Sequence, residues 1–229
     1  KSDAQIEAIK DSCLNNSVIE LVPTKDESGN FISQDLFDMN IMLNAEKIAS
    51  SCRGLISAQQ NPDSKFTNLN QERARAHMQR GKAFLILWKG AESFEQPNEI
   101  AEYLNQAYTS FKRASELDAS ISQAHFYMGL VKHFAGVQNE RDKHYEDAAN
   151  SYLDANSFGS SDSYFEDDYV VLGRLAIELR TKDHRRAIDL YTTAIEAMPT
   201  NLETKYNAGL KFSLGTLFAE YGFYNNADD

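Results

Sequence analysis

Cysteine, proline and long apolar runs are scarce in this chain of 229 residues. It contains two cysteines, four prolines and one tryptophan. The longest apolar run, residues 83–88, is far shorter than the ~18 apolar residues of a membrane-spanning helix, so we expect no membrane insertion. Because proline inside a helix costs about 3 kcal/mol, the shortage of proline leaves room for long helices, and we expect all four prolines to fall between helices.

Positive charge is also in short supply. The chain has 23 Lys and Arg against 34 Asp and Glu, a net charge of −11. Binding to nucleic acid or to an anionic membrane needs a basic surface, so we expect no nucleic-acid partner. A hydrophobic content of 42% and an aromatic content of 11% indicate a globular protein that buries a sizeable core.

Motifs of catalytic and metal sites are missing as well. The five histidines form no H-E-x-x-H pair, and the chain has no G-x-S-x-G, P-loop or G-x-G-x-x-G motif. The best-spaced pair, His125 and His133, would lie about 12 Å apart along a helix, which is too far to share one zinc ion. We therefore expect no enzyme activity, no cofactor and no metal.

The two cysteines, Cys13 and Cys52, leave two interpretations open. They form a disulfide, as a matched pair in an exported protein usually does, or they are two small core residues. The chain begins at Lys1 without Met, so we interpret it as a processed or trimmed product, which leaves the removal of a leader open. Together these features favour an exported, periplasmic bacterial protein over a cytoplasmic one.

Apolar periodicity predicts helices over most of the chain. The turn-rich stretch 18–33 is the exception and fits a loop or a small β-hairpin. One helix is expected to end near Gly90 and another at Gly136, where glycine follows the periodic residues. The predicted helices cover 1–17, 33–57, 71–90, 98–118, 120–136, 144–159, 166–181, 185–198 and 202–222.

A motif of small and aromatic residues recurs along the second half of the chain. The pattern Ala-x3-aromatic-x2-Ala occurs three times, and a glycine in the preceding helix accompanies each copy. We expect these positions, and also Gly209 at the start of a fourth copy, to allow close packing of neighbouring helices. The copies are Ala107/Phe111/Ala114, Ala148/Tyr152/Ala155 and Ala187/Tyr191/Ala194, with Gly81, Gly129 and Gly173.

This motif resembles the tetratricopeptide repeat (TPR), in which small and aromatic residues hold helix pairs together. The resemblance implies an all-α fold, a right-handed α-α superhelix or TPR-like solenoid. Residues 71–229 would form about three repeats and the start of a fourth, with lengthened helices or loops. Residues 1–70 would form an N-terminal helical cap. We expect the fourth repeat to continue beyond Asp229.

The resemblance also implies a function, the binding of a protein or peptide segment in a concave groove lined by the first helix of each pair. The chain would then be a non-enzymatic scaffold or adaptor. The alternative is a structural or assembly subunit that self-associates into a homo-oligomer through convex or end surfaces. The aromatic residues would bind the partner or pack between repeats. The expected groove residues are Arg75, Gln79, Lys82, Gln123, Phe126, Tyr127, His133, Arg174, Tyr206 and Asn207.

Overall fold

The computed structural model describes residues 2–15, 39–60, 70–93, 97–153, 168–197 and 205–219. These residues are helical and include no β-strand, which confirms the predicted all-α class; the stretch 18–33 lies outside them. The helices are α1 (Asp3–Leu14), α2 (Met39–Gln59), α3 (Asn70–Ser93), α4 (Pro97–Leu117), α5 (Ser122–Phe134), α6 (Gln138–Leu153), α7 (Asp168–Leu179), α8 (His184–Ala197) and α9 (Lys205–Leu217).

The chain divides into two compact units, Lys1–Arg141 and Asp142–Asp229. Helices α1 to α5 belong to the first unit, and α7 to α9 belong to the second together with α6 from Asp142 onward. The expected boundary near residue 70 therefore lies inside the first unit. There, α2 packs against α3 at least as closely as α1 packs against α2.

Helix α1 begins with a reciprocal cap and is bonded covalently to α2. The Ser2 hydroxyl accepts from the backbone N–H of Gln5, and the Gln5 side chain accepts from the backbone N–H of Ser2. Such a box satisfies N–H groups that a helix start otherwise leaves without partners. Cys13 at the end of α1 forms a disulfide with Cys52 in α2. Of the two interpretations left open by the sequence, the structure has the disulfide, and both of its cysteines are fully buried.

Glycine lets α3 approach its neighbours on two sides. A Cβ atom at Gly90 would lie 2.5 Å from the sulfur of Met42 in α2, and one at Gly81 would lie 2.5 Å from the ring of Phe111 in α4. The prediction that the helix ends near Gly90 is wrong, since α3 continues to Ser93. Glycine at this position serves close helix packing instead of helix termination.

Helices α3 and α4 form an antiparallel pair. Phe84 of α3 stacks on Tyr103 of α4 with ring centroids 6.2 Å apart. Arg80, one turn before Phe84, donates a hydrogen bond to Gln106, which lies one turn after Tyr103. Because the contact partner moves forward along α4 as the chain moves backward along α3, the two helices are antiparallel.

Helix α5 packs on α4 and also reaches back to α3. Tyr127 stacks on Phe111 of α4 at 5.0 Å. Lys82 Nζ of α3 lies 5.2 Å from the Tyr127 ring centroid, and further along both helices Trp88 stacks on Phe134 at 4.2 Å. In the second contact both residues come later in the sequence than in the first, so α3 and α5 run parallel. After α5 the chain turns at Gly136, whose φ of 73° is readily adopted only by glycine.

In the second unit, as in the first, a helix runs parallel to the helix after next. Ala187, Tyr191 and Ala194 of α8 are buried, and α8 packs against both α7 and α9. Lys182, which precedes α8, pairs with Asp142 at 2.6 Å, and Arg186 pairs with Glu146 at 2.9 Å. Each pair spans 40 residues of sequence. Helices α6 and α8 therefore run parallel.

Three further sequence predictions need correction. Pro97 is the first residue of α4, not a residue between helices; the missing N–H of proline is harmless at this position. Helix α6 begins at Gln138 instead of His144, because the polar residues 139–143, which are exposed or half-buried, continue the helix. Gly209 is exposed, and a Cβ atom there would meet no atom of the described residues within 4 Å, so among these residues it is not a close-packing position.

Replacement by alanine should have opposite effects on stability at Gly81, which lies against Phe111, and at Gly209, which is exposed. Gly81→Ala should lower the free energy of unfolding by about 1–2 kcal/mol, because overpacking against Phe111 exceeds the gain of about 1 kcal/mol in helix propensity. The control, Gly209→Ala, should raise it by up to about 1 kcal/mol, since no neighbour is displaced. Urea unfolding followed by circular dichroism measures both. Equal effects of the two substitutions would contradict the close contact at Gly81.

Candidate functional site

The aromatic residues expected to line a groove are buried in the first unit. Phe126 is 3% exposed and Tyr127 is 7% exposed. Tyr127 lies between the Phe111 ring and the Lys82 ammonium group, and Phe126 meets the edge of its ring at 5.3 Å. Tyr127 therefore packs between helices, as in the alternative interpretation of the aromatic residues.

The other expected groove residues differ in exposure. Gln123 and Lys82 are buried, and His133 is exposed. Arg75 and Gln79 are half-buried on α3. The structure therefore brings Lys82 and Tyr127 together, and His133 lies at the end of the same helix as Tyr127, where it contacts Arg141 at 3.3 Å.

In the second unit, Arg174 of α7 is half-buried. Tyr206 and Asn207 belong to the first turn of α9, and their side chains lie outside the described residues. Their assignment to a groove stays a prediction.

A different face of α3 carries the densest group of cations that we find in the first unit. Arg73, His77 and Arg80 are spaced at i, i+4 and i+7, so at about 100° per residue they lie on one side of the helix. Arg75 and Gln79 are rotated from them by roughly half a turn. The sequence predictions for α3 therefore concern the face opposite to this one.

Two neighbouring helices add cations to that face. Arg113 of α4 acts electrostatically on His77, as do Arg73 and Arg80. Arg53 of α2 acts on Arg80 in the same way. We refer to Arg53, Arg73, His77, Arg80 and Arg113 as the cationic cluster.

The cluster holds its central histidine in the neutral form at neutral pH. Burial of His77, which is 8% exposed, and then the positive charges of Arg80, Arg113 and Arg73 together lower its pKa to about 4. Glu116 opposes this shift, but it is paired with Arg113 at 2.8 Å. Among the charges that act on His77, one carboxylate therefore opposes three guanidinium groups.

Arg80 is the most constrained cation of the cluster. Its guanidinium donates to Gln106 Oε1 at 3.0 Å and lies 5.3 Å from the centroid of the Phe84 ring. Burial and the charge of Arg53 lower the pKa of Arg80, although a guanidinium stays protonated in proteins at neutral pH. These contacts fix the position of its charge.

Several polar atoms of the cluster are buried without a hydrogen-bond partner among the described residues. They are Nδ1 of His77 and Nε of Arg73 and Arg80. Buried polar groups are hydrogen-bonded in the great majority of native structures. The cluster therefore has hydrogen-bonding capacity that the described part of the chain does not use.

The same side of the α3–α4 pair becomes acidic beyond Arg80. Tyr103 donates to Glu99 at 3.0 Å. Burial, this hydrogen bond and the charges of Glu99, Glu46 and Glu102 raise the pKa of Tyr103 to about 12. The positive region therefore ends within about one helical turn of Arg80.

Sequence reasoning missed the cluster although part of the signal is visible. The spacing of Arg73, His77 and Arg80 places three basic residue types on one helix face, and this can be read from the sequence. The contributions of Arg53 and Arg113 depend on how α2 and α4 pack against α3, and no local pattern indicates that.

Comparisons of the chain with protein-family models, with curated proteins and with solved structures found no match. Among the helices of the described ranges, none combines the length and the apolar character that crossing a membrane requires.

Proposed function

We propose that this chain is a divergent TPR-like repeat protein, a right-handed α-α superhelix that binds a protein or peptide segment and acts as a scaffold or adaptor. The observation that carries the proposal is the parallel direction of corresponding helices. In the first unit α3 and α5 run parallel, and in the second unit α6 and α8 do so at an interval of 40 residues. Stacking of successive helix pairs produces this relation.

The buried anchors support the same assignment. Ala107, Phe111 and Ala114 are fully buried, and so are the small residues of the corresponding set in α8. The partner would contact polar residues on the first helix of each pair. In the first unit these residues are Arg75, Gln79 and His133, and we propose that they contact the bound segment. The disulfide supports an exported location, since such bonds persist in oxidising compartments.

A capture experiment with matched variants tests the function. The whole chain is immobilised, and bound proteins are identified by mass spectrometry. Arg75→Ala with Gln79→Ala should weaken binding of the specific partner by about thirtyfold and lower its recovery, because each removes a contact worth about 1 kcal/mol. The control is Asn105→Ala with Thr109→Ala, on the exposed face of α4. Equal recovery with both double variants would contradict the groove.

A second candidate function, self-association within a larger assembly, is favoured by a separate observation. Ile177 of α7 is 61% exposed and Phe212 of α9 is 77% exposed. Large apolar side chains at such exposure are common at interaction surfaces when they are contiguous. Light scattering separates the two functions. A dimer or larger species that Phe212→Ser converts to monomer would support assembly, and a monomer at all concentrations would contradict it.

A further inference from the structure

We propose that the cationic cluster on α2, α3 and α4 is a second binding site, which takes an acidic peptide segment through its carboxylate or phosphoryl oxyanions. The site lies on the face of α3 opposite to Arg75 and Gln79, so it does not depend on the proposed groove. The experiment that tests this second site therefore gives an answer whether or not the groove binds a partner.

The first argument is the excess of fixed positive charge. Three arginines act on His77 against one carboxylate, that of Glu116, and Arg113 already pairs with that residue; Arg53 adds its charge at Arg80. In a chain with a net charge of −11, four cations kept together on one face repel one another at a cost to stability. An anion bound among them removes this repulsion.

The second argument is preorganisation. The Nε atoms of Arg73 and Arg80 are buried, and the Arg80 guanidinium is held by Gln106 and Phe84. A side chain that is already ordered loses little conformational entropy when it binds a ligand. Guanidinium groups also present two parallel N–H donors that match the two oxygens of a carboxylate or a phosphoryl group.

The third argument is the unpartnered Nδ1 of His77. The imidazole is nine-tenths buried at the centre of the cluster, and this atom has no hydrogen-bond partner among the described residues. A neutral imidazole can either donate or accept. It can therefore bind a peptide N–H or a protonated oxygen beside the oxyanions.

The size of the cluster argues for a short peptide segment as the ligand. From Arg73 to Arg80 the helix rises about 10 Å, which spans three or four residues of extended peptide. Beyond Arg80 the carboxylates of Glu46, Glu99 and Glu102 surround Tyr103. A long polyanion such as nucleic acid would meet these carboxylates and the net negative charge of the chain, whereas a segment with two or three acidic residues would not.

Fluorescence anisotropy with labelled hexaglutamate tests the site. At about 50 mM salt, where screening is moderate, the whole chain should bind hexaglutamate and should not bind hexaglutamine. Arg73→Gln with Arg80→Gln should weaken binding at least about tenfold, the loss expected from two charge-assisted contacts. A phosphoserine peptide distinguishes phosphoryl from carboxylate oxyanions, and tighter binding of either probe is compatible with the site.

Two controls keep the test specific. Arg185→Gln with Lys211→Gln removes the same charge from exposed positions of the second unit and should change the dissociation constant less than about twofold. Arg73→Lys with Arg80→Lys keeps the charge but removes the fork geometry, and it should weaken binding several-fold. If the glutamine variant does not fold, the lysine variant decides the question by itself.

Four results would overturn the proposal. These are no binding of either acidic peptide by the native chain, equal binding of hexaglutamine, an equal loss in the second-unit control, and tighter binding of a ten-nucleotide single-stranded DNA than of the peptides. The last result would assign the cluster to nucleic acid. None of them bears on partner capture through Arg75 and Gln79.

Discussion

Loss of the Cys13–Cys52 disulfide should lower the free energy of unfolding of the first unit by about 3–4 kcal/mol. The bond joins residues that are 39 apart in sequence, so it closes a long loop in the unfolded chain. Without it the unfolded state regains the conformational entropy of that loop. Typical domains are stable by only 5–15 kcal/mol, so this would be a large fraction of the total.

Two polar contacts of α1 are each much weaker than the bond. Lys10 pairs with Glu72 at 2.7 Å, and Ser51 donates to Ser12 at 3.0 Å. A partly exposed ion pair contributes about 1 kcal/mol or less, and one hydrogen bond about the same. We therefore expect α1 to lose protection from amide hydrogen exchange first.

The chain offers a local reporter for this measurement. Trp88 is its only tryptophan and is stacked on Phe134 inside the first unit, so urea unfolding followed by tryptophan fluorescence reports on that unit. The variant is Cys13→Ala with Cys52→Ala, because serine would bury two hydroxyls. The matched control is the same variant with and without reductant, which should give identical curves. An unchanged midpoint of the native chain on reduction would contradict a stabilising bond.

Helical periodicity allowed most elements to be predicted, because it is a local property of the sequence. The errors arise where glycine and proline have more than one use. The sequence predicts a helix end near Gly90, but this residue lies inside α3 against Met42. The sequence predicts Pro97 between helices, but it is the first residue of α4. Whether a glycine ends a helix or allows close packing depends on a neighbouring helix. Whether a proline precedes a helix or is its first residue depends on a shift of one position.

The candidate site was less accessible from the sequence. The resemblance to tetratricopeptide repeats directed attention to Phe126 and Tyr127, yet the structure buries both. An aromatic residue on a helix has the same local pattern whether it binds a ligand or packs on the next helix. The decisive fact is the distance from Tyr127 to Phe111, which depends on tertiary packing. Similarly, Arg113 joins the cationic cluster only because α4 folds back along α3.

Acid should destabilise the first unit through His77. Its pKa is about 4 in the folded chain against 6.5 for an ordinary histidine, so the unfolded state binds more protons between these values. The contribution of His77 is therefore complete above about pH 6.5 and declines as the pH falls toward 4, by about 3 kcal/mol in total. The cause is burial first, followed by Arg80, Arg113 and Arg73.

Substitution of His77 should remove most of this dependence. From pH 6.5 to 5.0, above the range in which most carboxylates titrate, the native chain should lose about 2 kcal/mol of unfolding free energy. His77→Gln keeps a neutral polar side chain and should lose much less over the same interval. Trp88 fluorescence in urea at each pH measures both. The control, His133→Gln, removes an exposed imidazole from the same unit.

The outcome also tests how the cluster is organised. If hexaglutamate binds among the arginines, its negative charges should favour the imidazolium form, so the bound chain should lose less stability on acidification than the free chain. Equal pH dependence of native protein and His77→Gln would mean that His77 is not buried among the arginines. A shallower acid loss in His133→Gln than in His77→Gln would contradict the prediction, because His133→Gln keeps His77, the histidine on which Arg73, Arg80 and Arg113 act.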